Sequence, residues 1–219
     1  LVLVGGDKAA YITVAILFVF SVLSTRLDDI TDLKFGATGV AAALNRKLEQ
    51  AQATVDQLQR VAELFGQLSV QQISGSNRWG GMSVKDKREA IAKIEDSLKA
   101  ISMPAEKIRS VLAVQVPYDN FDYFHWASNP ILSSGDTAVQ DVRGPFFERY
   151  GEKGIADGFP PIEEFEGFLL ANGWMKGEIA ERVRDWKHYV KTGQHRRLAE
   201  WESRHDSGMS GLSLEDALQ

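Results

Sequence analysis

The sequence predicts a mostly α protein with one N-terminal transmembrane helix, a short β-hairpin or kinked linker, a long coiled-coil-like helix and a helical C-terminal domain. Three observations carry that expectation. An uncharged run of 17 residues stands near the start of the chain. Apolar residues then recur at alternating spacings of four and three, and glycines and prolines divide the rest into helix-sized segments. The average composition conceals this order, since 219 residues, 44% hydrophobic and 25% charged, describe an ordinary globular domain.

Composition also excludes chemistry. The chain has Cys 0, which removes a disulfide framework, a thiolate metal site and a cysteine nucleophile. Its 25 basic and 30 acidic residues, net -5, offer phosphate no overall attraction, so nucleic acid is not an expected partner.

The uncharged run, AAYITVAILFVFSVLST, begins at Ala9 and ends at Thr25, between Lys8 and Arg26. As a helix it covers about 25 Å of a hydrocarbon layer of about 30 Å. The stems of Lys8 and Arg26 extend that reach, and Tyr11 falls near one interface. Residues 1–26 are therefore expected to form a membrane anchor, with lipid as its partner, crossing the inner or plasma membrane once. Arg26, Lys34, Arg46 and Lys47 outnumber the single Lys8 on the other side, which directs the following domain to the cytoplasm. The alternative is a secretory signal peptide cleaved near Val22-Leu23-Ser24, although such apolar regions usually hold only about 7 to 15 residues.

Residues 27–44 follow as hairpin or linker. Leu33 and Phe35 alternate before Gly36-Ala37-Thr38-Gly39, and Val40, Ala42 and Leu44 alternate after it, as two strands around a turn would. Ala41, Ala42 and Ala43 support the other option, a helix already begun. From Leu44 the pattern is a heptad seam: Leu44, Leu48, Ala51, Val55, Leu58, Ala62 and Phe65. A coiled-coil-like helix is expected over 45–74, either self-associating into a homo-oligomer or packing on the chain's own later helices.

Residues 75–206 are expected to fold as a helical domain. The break ISGSNRWGGMS offers Arg78 and Trp79 as partner contacts, or as a loop anchored by its indole. Ser83 and Asp86 make a capping box, followed by a face of Ile91, Ile94, Leu98 and Ile101. Pro104 opens another helix with Ile108, Val111 and Leu112 as buried candidates. Residues 111–175 hold three basic and ten acidic side chains and a dense aromatic cluster. Phe121, Tyr123, Phe124 and Trp126 are candidate interaction residues there, with a packed core as the other use of such rings. Asp119, Asp122 and His125 lie among them and support a second reading, a membrane-tethered enzyme or effector. No further ligand pattern accompanies them, so no catalytic, cofactor or metal residue is assigned.

Pro160 and Pro161 open a helix closed by Asn172-Gly173, a second runs from about Gly177 to Thr192 before Gly193, and a third begins near His195. Residues 207–219 read as a flexible tail ending in the amphipathic LSLEDAL. No phosphate loop, nucleophile elbow, zinc motif or calcium loop occurs in the sequence.

Three stretches, RLDDITDLKFGATGVAAAL, SGSNRWGGMS and FLLANGWMKGEIAERVRDWKHYVKTGQHRRLAEW, resemble an uncharacterised family of prokaryotic single-span membrane proteins with a coiled coil and a small helical cytoplasmic domain. The resemblance covers most of residues 8–205. Relatives of this kind tend to carry proline after the paired arginines, where this chain has Leu198 and Ala199. The resemblance implies architecture and no activity. The functional expectation is a membrane-anchored interaction or scaffold protein that self-associates through its membrane-proximal helix and binds a protein partner with its helical domain.

Overall fold

A computed structural model of the chain describes residues 40–76, 82–151, 155, 158–204 and 212–219, with the side chains of the first helix described from Lys47 onward. The described chain divides into two compact units, one up to Gln115 and the other from Val116. The described elements are α1 (Val40–Gly75), α2 (Val84–Ala100) and α3 (Ala105–Ala113) in the first unit, and α4 (Val116–Leu132), α5 (Thr137–Phe147), α6 (Ile162–Ala171), α7 (Gly177–Thr192), α8 (Leu198–Ser203) and α9 (Leu214–Ala217) in the second.

In the first unit α1 is the spine. Its 36 residues extend about 54 Å, whereas α2 and α3 have 17 and 9. The start of α2 is fixed locally, because the Ser83 hydroxyl accepts from the Asp86 N–H at 3.1 Å and donates to the Asp86 carboxylate at 2.8 Å. Its end turns through Ser102, whose φ of 54° lies in the left-handed region, and the Met103 N–H reaches back to the Leu98 carbonyl. Pro104 then supplies a fixed φ of -55° ahead of α3. Both short helices fold back onto one face of α1. Ala62, Val70 and Ile73 meet Ala90, Ile94 and Leu98 of α2, Ile101 and Met103 of the turn, and Ile108 and Val111 of α3.

A close approach falls at Gly66. A Cβ there would stand 2.9 Å from Val111 Cγ1, so glycine lets α3 lie tight against α1.

The second unit is built on α4 and α7, which run antiparallel. Trp186 Nε1 donates to Asn120 Oδ1 at 2.9 Å, the Tyr189 hydroxyl donates to Asp119, and Arg182 Nη1 donates to the Trp126 carbonyl at 2.8 Å. The last of these has a backbone cause. Pro130 lies inside α4 and has no N–H to give the carbonyl four residues earlier, so the Trp126 oxygen is released to the guanidinium. Tyr123, Phe124, Phe165 and Trp186 form the centre of the core, with Ile131, Leu169, Ile179 and Val183 filling between the rings. Gly193 ends α7 in the left-handed conformation, φ 70°, with its N–H on the Tyr189 carbonyl at 2.7 Å.

Several expectations are corrected. The transmembrane helix drawn over residues 9–25 lies outside the described residues, and no described helix is long and apolar enough to cross a membrane. The helix α1 has the length, but Glu49, Asp56, Arg60 and Glu63 and its many glutamines make it an amphipathic surface helix. The described chain is helical, and the membrane-spanning fold class is not upheld. The β-hairpin fails for a local reason. Residues 40–44, its expected second strand, open α1, in keeping with the run of three alanines, and no strand occurs among the described residues. The first half of the hairpin lies outside the described residues. Finally, the tail is not free over its whole length: α9 packs on α4 and α7 with Ala217 fully buried.

Candidate interaction surfaces

The helix α1 carries more apolar surface than α2 and α3 can cover. Each residue turns the helix by about 100°, so the buried line of α1 passes through Ala62, Gly66, Ser69, Val70 and Ile73. The next apolar line lies about 120° around the helix. It consists of Val61, Leu64, Phe65 and Leu68, exposed at 38%, 57%, 46% and 53%. These positions follow i, i+3, i+4 and i+7, the spacing that presents one continuous strip. The strip is bordered above and below by Thr54, Gln57, Gln71 and Gln72, none of them charged, Arg60 flanks it one turn before Leu64, and Asp56 and Glu63 lie farther around the helix.

The expected seam divides between these lines. Leu44 lies outside the described side chains. Leu48 is 55% exposed, because α1 projects there beyond α2 and α3, and Val55 is half-buried. Leu58 and Ala62 pack into the unit's own core. Phe65 should have continued that seam, but Gly66 takes the inward position at the contact with Val111, and the ring points out. Arg78 and Trp79 lie outside the described residues.

In the second unit the aromatic candidates have another use. Tyr123, Phe124 and Trp126 are buried, with exposures of 1%, 2% and 8%. Their burial withdraws them from any surface that a partner could reach. Phe121 is half-buried, tilted against His125 at 4.1 Å between ring centres and edge-on to Phe159 at 6.3 Å.

Asp119, Asp122 and His125 are not brought together. Asp119 takes the Tyr189 hydroxyl, Asp122 pairs with Arg204 Nη2 at 2.6 Å, and His125 packs tilted against Phe121. On a helix, residues three apart drift by about 60°, so 125 has turned about 120° from 119. Among the described residues no group of three or more His, Asp or Glu side chains could hold a metal ion.

The strongest polar construction gathers around Asp185, which is 1% exposed. One oxygen accepts from Arg196 Nε at 2.5 Å and the other from Arg197 Nε at 2.7 Å. Arg197 continues to Glu178 with two bonds of 2.9 Å, Glu178 also accepts from Arg182 at 3.0 Å, and Glu181 takes Arg196 and Arg184. The guanidiniums of Arg182 and Arg197 lie over the Trp126 ring at 5.0 and 5.5 Å. Burial opposes the charge of Glu178, but Arg197 and Arg182 outweigh it and hold the carboxyl below its usual range. Burial, reinforced by nearby Asp119, raises both the Tyr189 and Tyr123 phenols, and Tyr123 is also raised by Asp185. Tyr123 in turn bonds His195 Nδ1 at 2.8 Å and stacks on Trp201 at 3.8 Å. Every carboxylate of this network is engaged by a cation, which makes it a fastening for the paired arginines ahead of α8.

Sequence reasoning missed Glu178, Asp185, Arg196 and Arg197. The signal was present, since Glu178, Glu181 and Asp185 recur at helical spacing on α7 and two adjacent arginines follow just after its closing glycine. Comparison of the chain with protein-family models, curated proteins and solved structures returns no match.

Proposed function

We propose that this is an interaction protein whose first unit self-associates, with the α1 strip of Val61, Leu64, Phe65 and Leu68 meeting the same strip of a second copy. The observation that carries the proposal is the exposure of four large apolar side chains on one face of a well-packed helix. Such a strip, unlike a scattered exposed leucine, gains by finding an apolar partner. A second copy fits for two reasons. Val61, Leu64 and Leu68 occupy a four-three-four-three frame with Gln57 before and Gln71 after, the pattern that two like helices interleave. The uncharged residues above and below the strip keep its two ends free of like-charge contact between identical surfaces, with Arg60 the charge at its flank. The partner-binding role expected of the aromatic cluster is not carried forward, because three of its four residues are core.

The absence of native cysteine allows a direct test in the full chain. Single cysteines at Leu64 or Leu68 should be joined between copies by a short bismaleimide, and one at the exposed Asp56, about 130° around α1 from the strip, should not. Leu68→Glu should shift the sedimenting species from dimer to monomer, which separates association through the strip from any through residues 9–25. A chain that stays monomeric at all concentrations overturns the proposal. So does a monomeric chain whose first unit melts earlier with Leu68→Glu, since its own chain then covers the strip.

A further inference from the structure

The contact between α9 and the start of α7 is a small, self-contained docking joint. The segment shapes itself: the Ser213 hydroxyl accepts from the Asp216 N–H at 3.2 Å and donates to the Asp216 carboxylate at 2.6 Å. Ala217, at 0% exposure, is the buried foot, set against both α4 and α7.

Its seat is Gly177, whose φ is +50°. A Cβ there would stand 2.5 Å from the Ala217 carbonyl oxygen and 2.9 Å from the Leu218 carbonyl carbon, so a side chain at 177 and the docked segment exclude each other. The carbonyl end of α9 thus meets the amino end of α7, where Lys176 supplies no side-chain cap. Opposite ends of two helix dipoles face one another.

Fit and burial hold this joint, since the side-chain bonds described for the segment are internal to it. Burying one alanine foot and the flanks of three leucines, Leu212, Leu214 and Leu218, is a small contact, kept closed by the covalent link to the rest of the chain. Contacts of this size open locally while the rest of a domain stays folded.

We propose that the Gly177 seat is a peptide-binding site that takes residues 212–219 of a second copy in exchange for its own. The complement that the seat requires, a capped turn with a small buried foot, is by identity present in every copy. The exchanged joint makes the same contacts as the original, so exchange forfeits only the tether. The inference stands on the second unit alone and is independent of the α1 strip.

The full chain carrying Ala217→Glu, which ejects its own segment, is titrated with a fluorescent peptide of residues 211–219. The peptide should bind this chain at least about tenfold more tightly than the wild-type chain, whose seat is occupied. Adding Gly177→Val should abolish the binding. Equal or absent binding to a natively folded Ala217→Glu chain overturns the proposal. Where Ala217→Glu disturbs folding, two tagged chains decide, one with Lys176→Cys and the other with Asp216→Cys, both at exposed positions. A disulfide joining the two tags is the expected product, and its absence under oxidising conditions overturns the exchange.

Discussion

The two units close their cores by different means. The first packs aliphatic side chains of three helices around a glycine contact, and the buried Ser69 hydroxyl bonds the Phe65 carbonyl at 2.6 Å. The second packs rings, and then fastens a returning segment to α7 through a buried carboxylate held by two arginines. An aliphatic helical core is tolerant and can be left incomplete on one side, which is how the α1 strip remains open. A buried charge network cannot be left incomplete, because each unpaired member would be a charge without water.

The largest test of that difference is Asp185→Ala. Removing the carboxylate takes the shared acceptor from Arg196 and Arg197, which keep Glu181 and Glu178, and should cost about 2–3 kcal/mol. Trp126, Trp174, Trp186 and Trp201 lie in the second unit and only Trp79 in the first, so near-ultraviolet circular dichroism reports the loss. An unchanged melting curve would show that the network is dispensable and that the rings alone hold the unit.

The pH dependence should separate the units next. Glu178 and Glu181 are held below their ordinary value of 4.5, so their contribution is complete above that pH and disappears as pH falls through the lower folded values. Tyr123 and Tyr189 are raised above 10.0, so the contribution of their protonated form is complete below that pH and is lost as pH rises through the higher folded values. The tryptophan signal should therefore melt earlier at both extremes. Amide exchange at Leu98 and Val111, in the first core, should follow pH far less once corrected for intrinsic rates. Equal sensitivity of the two would remove the distinction.

The smallest effect is expected at Gly66→Ala. A helix gains about 0.5–1 kcal/mol from alanine over glycine, but the new methyl must displace Val111 Cγ1 from 2.9 Å, and overpacking costs about 1–3 kcal/mol. The net should be a destabilisation of about 1 kcal/mol, read as faster exchange of the Leu98 amide. Stabilisation instead would show that Val111 turns aside and that the aliphatic core is looser than it looks.

Much of the local order was legible in advance. The Ser83 cap, the Ile94, Leu98 and Ile101 face, the Pro161 start of α6 and the extent of α7 all follow from residues within a turn or two of each other. Errors arose where the deciding neighbour is far away in sequence. Phe65 fits the seam by spacing, yet Val111 and Leu98 decide that Gly66 faces inward. Tyr123 and Trp126 looked like a sticky surface until Trp201 and Arg197 returned to cover them.

By itself the sequence determined α2, α3, α6 and α7 with their starts and stops, because these depend on propensity, periodicity and hydrogen bonds within a few residues. It also determined the exclusion of thiol chemistry, since no fold supplies an absent atom. Only tertiary structure decided which apolar line of α1 is buried, which arginines meet Asp185, and that Gly177 makes room for Ala217. Those outcomes depend on which distant surfaces come within van der Waals or hydrogen-bond reach, a distance that no local pattern records.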